Sequence, residues 1–313
     1  MPGTSSPHEA MTTRSKERVG KWLVSGPPLV YLLFFFAIPA LIMVLASFRT
    51  PGEFGGLAPL LEDGQLDLNL DSYVRFFTES VYAQIFVKSV WYALLTTLFC
   101  LLLAYPLAAL IARSPKKYRD LLLLLVILPF WSNFLIRVYA WMIILGPNAA
   151  MARMVNGALA WFGHEPVPLL FSSFAVLICL VYVHLPFMVL PLYANLEKHD
   201  QALLDAAQDL GASGWQRFWR VTFPLSLPGV YAGAALVFIP ALGIFAIPDI
   251  LGGPEDSLIG NVIKQQFLET RDWPFGSVLS IVLTIAALAL AGLAAWVGRS
   301  QLGTPSSGAP ARA

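Results

Sequence analysis

The chain has 313 residues, of which 57% are hydrophobic and only 12% charged, with a formal net charge of +1. So apolar a composition excludes an ordinary soluble globule. The two cysteines, Cys100 and Cys179, both fall in apolar stretches, which excludes a disulfide framework of the secreted kind and leaves them as small packing residues.

Residues 1–20 are rich in Ser, Pro, Gly, Thr and Ala and are expected to form a disordered tail. Runs free of Asp, Glu, Lys and Arg then follow at 22–48, 89–112, 166–196, 221–248 and 273–298, and the run 121–145 is interrupted only by Arg137. A hydrocarbon core of roughly 30 Å needs about 20 apolar residues as helix. The sequence therefore predicts an all-α polytopic membrane protein of six spans, at about 22–48, 87–112, 121–145, 168–195, 225–249 and 274–298. One membrane domain covers 21–299, and 300–313 forms a second disordered tail. The first run is too long for the apolar part of a signal peptide and is broken by Pro27, Pro28 and Pro39, so it is expected to stay as a span.

If the N-terminus lies inside, the inner segments 1–21, 113–120, 197–220 and 299–313 carry thirteen Lys and Arg, against six in the outer segments 49–88, 146–165 and 249–272. The positive-inside rule then places both termini in the cytoplasm. The first outer loop is acidic, and its second half reads as a helix with Asp71 at the N-cap. In the second outer segment Met151, Met154, Val155, Ala158, Leu159 and Phe162 share one helical face, which fits a short interfacial helix or ordinary packing on the spans.

The inner segment 197–224 is the polar exception. Asp200 is placed to cap a helix over 201–210, Gly211 stands where a helix ends in a left-handed residue, and Ser213 with Gln216 fits a capping box for a second helix. That second helix carries Trp215, Phe218 and Trp219 and is expected to end near Pro224. Aromatic residues on such a loop either fold back on the bundle or meet a partner surface.

The spacing Asp205-Ala206-Ala207, three residues, Gly211, nine residues, Val221-Thr-Phe223-Pro224 resembles the E-A-A-x3-G-x9-I-x-L-P motif of ABC-importer permeases, with conservative changes at three positions. In that family the loop is a coupling helix seated in a cleft of the ATP-binding subunit. The resemblance thus assigns ATPase coupling to Asp205, Ala206, Ala207, Gly211, Ser213, Trp215, Phe218 and Pro224. The segments 121–145, 181–196, 237–254 and 271–281 look like the putrescine/spermidine permeases, and like the first of their two paired subunits. The resemblance implies a bacterial inner membrane protein in a complex with a second, different permease, two ATP-binding subunits and an outer solute-binding protein. It implies no cofactor on this chain, with ATP and Mg used by the partner ATPase, and no nucleic-acid partner. One departure bears on the solute: where an acidic residue is expected in Pro-x-x-Gly-Glu-Phe, the chain reads Pro240-Ala-Leu-Gly243-Ile244-Phe245.

Within the spans, Trp131, Asn133, Arg137, Tyr139, Tyr182, Phe245 and Asp249 are candidates to line a solute path, the aromatics as cation–π faces with Trp141 beside them. Arg137 is costly inside a membrane. It is expected to pair with Asp249, to bind carbonyls freed by nearby prolines, or to contact the solute. Glu255 and Asp256 read as caps of a solvated turn, and His184 as a packing residue beside Pro186. The chain has no G-x-x-x-x-G-K-[ST] phosphate loop, H-E-x-x-H or G-x-S-x-G, so it is not expected to be an enzyme, and ATP hydrolysis is left to another chain. Other amine or amino-acid-like solutes fit the same machine. A secondary transporter driven by ions would want acidic residues near the midplane, where the chain offers only Asp249 near an edge.

Overall fold

A computed structural model describes residues 25–59, 61–62, 65–66 and 68–301. The tail expected over 1–20 and nearly all of that over 300–313 lie outside the described residues, and the final helix runs on through Gln301. Lipid offers no hydrogen-bond partner, so each apolar run satisfies its backbone within its own helix. Six helical stretches among the described residues are long and apolar enough to cross a membrane.

The first is α1, Ser25–Ala46, with a π-helical turn at Leu33–Ala37. A two-residue antiparallel ladder, β1 (Leu61–Glu62) and β2 (Gln65–Leu66), follows in the long loop. Next comes α2 (Asp71–Thr78), where the expected Asp71 cap is corrected: Asn69 Oδ1 accepts the Asp71 N–H at 3.0 Å, so Asp71 is already the first helical residue. The long α3 (Ser80–Arg113) is the second span.

The run 121–145 is not one helix. It comprises α4 (Lys116–Ile127), a 3-10 turn at Leu128–Trp131, an extended step at Ser132 and Asn133, and α5 (Phe134–Leu145). Pro129 has no N–H to continue the α4 ladder, and Asn133 restarts the helix by accepting the Leu135 N–H at 2.8 Å. The fifth run is broken in the same manner. Here α10 (Phe223–Gly243) stops short of the expected end at 249, Ile244 and Phe245 leave the helix, and α11 (Ala246–Leu251) resumes.

Between these lie α6 (Ala150–Trp161) and the fourth span α7 (Ser173–Leu196). After the loop helices α8 (Gln201–Asp209) and α9 (Gly214–Arg217), and beyond α11, come α12 (Ile259–Leu268) and the last span α13 (Trp273–Gln301). The apolar stripe of α6 only partly turns inward: Ala152 is buried, Met151 and Val155 pack on the core, and Met154, Trp161 and Phe162 are exposed.

The centre of the bundle is α3, α7 and α10, packed through small residues: Cys100, Ala104 and Ala108 of α3 against Val181, Met188 and Leu192 of α7 and Val230 and Val237 of α10. Without a hydrophobic drive between helices in lipid, such close approach supplies the van der Waals contact that holds spans together. His184 is buried there, its Nδ1 2.8 Å from the Leu180 carbonyl.

Candidate functional site

At one end of the bundle the basic residues collect. Arg119, ahead of the composite third span, reaches Glu197 at the end of α7 with N···O 2.5 Å, and its guanidinium also donates to the Ala112 carbonyl at 2.9 Å. The Tyr193 hydroxyl and the Arg119 charge hold the Glu197 carboxyl below the ordinary carboxylate range. The ends of α3, α4 and α7 are thus tied together where the polar loop begins.

That loop folds as its capping signals require. Asp200 accepts the Ala202 N–H at 3.0 Å to start α8. Gly211 closes it at φ +81°, with Gly211 N–H to Gln208 O at 2.8 Å and Ala212 N–H to Ala207 O at 3.0 Å. Ser213 and Gln216 form the capping box of α9, and Arg217 Nη1 donates back to Gln208 Oε1 at 2.6 Å, clasping the two helices. Pro224 does not end this second helix. A π-helical stretch, Phe218–Thr222, carries α9 into α10, and Pro224 lies in the first turn of α10, where a missing N–H costs nothing.

The aromatics divide between two duties. Phe218 is half-buried and meets Tyr105 of α3 edge-on at 5.4 Å, while the Tyr105 hydroxyl bonds Ser226 at 2.8 Å. Trp215 stacks on Phe218 and Trp219 meets it edge-on, yet they remain 70% and 47% exposed, with Leu210 at 89%. The loop is therefore anchored to its own bundle by Phe218 and presents Trp215, Trp219 and Leu210 outward. Ala206 is exposed and Ala207 half-buried on the same unit.

At the opposite end Glu255 is exposed, as the sequence implies, but its neighbour is not. Asp256 is buried, which corrects its reading as a cap in a solvated turn. Its carboxylate accepts from Ser173 at 2.5 Å, Tyr92 at 3.2 Å and the Gly253 N–H at 2.9 Å, with Lys88 Nζ at 3.8 Å. Burial works to raise its pKa, but the bonds from Ser173, Gly253 and Tyr92 and the Lys88 charge outweigh it and hold the carboxyl below its ordinary value. The network ties α3, α7 and the loop 252–258. Only the fold brings these residues together; a lone aspartate in "GGPEDS" carries no sequence signal of it.

Because the folded-state pKa of Asp256 is depressed, its stabilisation is complete above the ordinary aspartate range and is lost as pH falls through the depressed value. Asp256→Ala is expected to cost about 3 kcal/mol at neutral pH, since it removes the buried acceptor of Ser173, Tyr92 and the Gly253 N–H, while Lys88 keeps the Glu255 carbonyl. The gap between wild type and variant should begin to narrow as pH falls below about 4. Thermal unfolding in detergent across pH checks this, and a gap that does not change with pH would refute it.

Between the two ends lie the helix breaks and the path candidates. Trp131 and Tyr139 are 74% and 51% exposed, and Asn133 is spent as the cap of α5. Tyr182 meets Trp141 edge-on at 5.6 Å against the core. The expected Arg137–Asp249 pair is absent. The Arg137 guanidinium sits over the Phe130 ring at 5.2 Å and the Phe134 ring at 6.0 Å, and its buried Nε has no hydrogen-bond partner.

Asp249 belongs instead to Lys264, at 2.7 Å, and to Asn261. This hydrogen bond raises the Lys264 pKa above its usual value. The reason is reach: α11 turns Ile247, Pro248 and Leu251 into the core and Asp249 outward to α12. Phe245 is 45% exposed on the same outward side, one turn before Asp249. Ile244 packs on the core beside α11, so the departure from an acidic residue at that position falls on a packing site.

Six helical stretches among the described residues long and apolar enough to cross a membrane, with helix breaks flanking the third and the fifth and a capped polar loop after the fourth, define a polytopic helical membrane protein. The chain belongs to the family described as "Binding-protein-dependent transport system inner membrane component", whose model matches residues 104–300, and it is a multi-pass inner-membrane protein.

Among curated relatives, the spermidine/putrescine transport system permease protein PotB of Salmonella typhimurium (strain LT2) is 44% identical over 257 residues, covering 82% of this chain and 85% of that one. PotB of Escherichia coli (strain K12) is 44% identical over the same share of this chain and 89% of its own. Among solved structures, a bacterial alginate ABC transporter in complex with an alginate pentasaccharide-bound periplasmic protein shares the fold, at TM-score 0.68 and 20% identity over 89% of this chain and 94% of that one.

Proposed function

We propose that this chain is the permease subunit of an ATP-driven importer and forms the translocation path for a polyamine such as putrescine or spermidine. The observation that carries the reading is the 44% identity over 82% of the chain to permeases named for spermidine and putrescine. An outer binding protein delivers the solute, a second and different permease completes the membrane unit, and two ATP-binding subunits use ATP and Mg. Both termini face the cytoplasm, in keeping with the basic residues gathered at the loop end.

Asp205, Ala206, Ala207, Gly211, Ser213, Trp215, Phe218 and Pro224 make the coupling unit: Phe218 and Pro224 root it in the bundle, Gly211 and Ser213 shape it, and Trp215 meets the ATPase. Exposed Trp215 and Trp219 support this role, because large aromatics at a loop tip are stabilised by a receiving pocket. Trp131, Arg137, Tyr139, Phe245 and Asp249 border the path at the two breaks, with Asn133 and Tyr182 positioning them. Irregular backbone at membrane depth persists only where it is covered by protein or lines a water-filled cavity.

Proteoliposomes test the reading. The assembled complex is expected to accumulate labelled spermidine or putrescine only with ATP and its binding protein, and the purified single chain to accumulate none. Uptake by the single chain under a proton gradient without ATP would refute the importer reading. A binding protein that holds an amino acid and no polyamine would move the solute assignment to that class.

A further inference from the structure

We propose that Lys264 is a built-in stand-in for a substrate ammonium, seated on Asp249 at the break in the fifth span and displaced by an incoming alkylammonium solute. The inference rests on the polyamine reading and deepens it. At this break the chain leaves the helix at Ile244 and Phe245 and re-enters it in α11. The inner face of α11 is filled by Ile247, Pro248 and Leu251, all buried, whereas Phe245 and Asp249 stand exposed one turn apart on the other side. Asp249 follows the fifth apolar stretch, which ends at Gly243, so its carboxylate stands at the outer edge of the bundle, where a solute entering the path would meet it.

The surroundings of Asp249 are asymmetric. Asn261 is 9% exposed and donates through one amide nitrogen to both the Asp249 carboxylate and the Phe245 carbonyl, the latter at 3.0 Å, fixing the acceptor to the break. Lys264 supplies the counter-charge from a side chain 31% exposed, with Nζ 2.7 Å from Asp249 and 3.7 Å from Glu269. The two side chains are equally exposed, at 31% each, so solvent reaches both; the Asn261 bond ties only the acceptor to the break, and ion pairs of this exposure are weak enough to exchange.

The chemistry of the occupant matches the class of the solute. A lysine side chain is a four-carbon alkyl chain ending in a primary ammonium, which is one end of a diamine such as putrescine. Phe245, on the same face, offers an aromatic surface to the methylenes or the charge of whatever replaces it. An ordinary structural ion pair and an internal competitor differ in sign. Loss of either partner harms a structural pair alike, whereas loss of a competitor improves binding.

The test is equilibrium binding of labelled spermidine to the detergent-purified complex of both permeases and the ATPase, without the binding protein, at fixed salt. Lys264→Gln is expected to tighten binding about three- to fivefold, Lys264→Arg to stay near wild type, and Asp249→Asn to weaken it about tenfold. Lys264→Met serves as a second uncharged variant if Lys264→Gln does not assemble. Equal weakening by the Lys264 and Asp249 variants, no change in either, or no binding by wild type and Lys264→Gln together would overturn the proposal. The separate finding that the binding protein takes no polyamine would instead remove the polyamine reading, and this inference with it.

Discussion

Valine in place of Gly211 is expected to cut ATP-driven uptake by the assembled complex about tenfold or more, while the spans unfold at nearly the wild-type temperature. Gly211 adopts φ +81°, and a Cβ added there meets no atom within 4 Å. The damage therefore comes from backbone conformation alone. A β-branched residue held in the left-handed region costs on the order of 1–3 kcal/mol, and the loop relieves it by turning. The turn carries the bonds from the Gly211 and Ala212 amides, and beyond it lie the capping box and the outward Trp215 and Trp219. A small rotation at 211 thus displaces the surface proposed to meet the ATPase, with no effect on the α3–α7–α10 core. Gly211→Asn, which tolerates this φ, should retain most activity. Uptake, ATPase co-purification and thermal unfolding measured together decide it. Full uptake by the valine variant would remove Gly211 from the coupling unit.

The second large effect is expected at Gly260, the second residue of α12. A Cβ there would lie 2.5 Å from the Gly243 carbonyl oxygen and 2.7 Å from that of Ile244, both backbone atoms of the fifth-span break. No side chain can rotate to make room, so α12 or the break must move. Overpacking of this kind costs about 3 kcal/mol. The break it disturbs holds Phe245 and, through Asn261, Asp249. Gly260→Ala is expected to lower the melting temperature of the purified complex by about 5 °C or more and to depress transport with it. Gly157→Ala, on α6 with no atom within 4 Å of an added Cβ, is the matched control and should leave both unchanged. A Gly260→Ala complex with wild-type melting would show that α12 does not brace the break.

Much of this molecule is legible in one dimension. Five uncharged runs of 24 to 31 residues, and a sixth of 25 interrupted only by Arg137, have one economical solution in lipid, so the number of spans follows from composition and length. The loop 197–224 is equally readable, because capping is local: Asp200, Gly211, Ser213 and Gln216 act on amides within four residues of themselves. What escaped were the consequences of side-chain reach. Pro129 and Pro240 signal strain, but prolines also sit inside the unbroken helices α3 and α7, so their presence alone does not locate a break.

The sequence by itself determined the class of protein, its span number and the shape of its polar loop, since these depend on hydrophobic length and on contacts between near neighbours. Only the tertiary structure decided which charges meet. Asp249 lies in chain order within reach of several plausible partners, and the outward turn of α11 gives it to Lys264 and leaves Arg137 on two phenyl rings. Asp256, unremarkable in its loop, becomes the buried tie between α3 and α7, because Tyr92 and Ser173 converge on it from positions 164 and 83 residues away. Electrostatic partners are set by distance in space, and across a helical bundle that distance is fixed by packing rather than by separation along the chain.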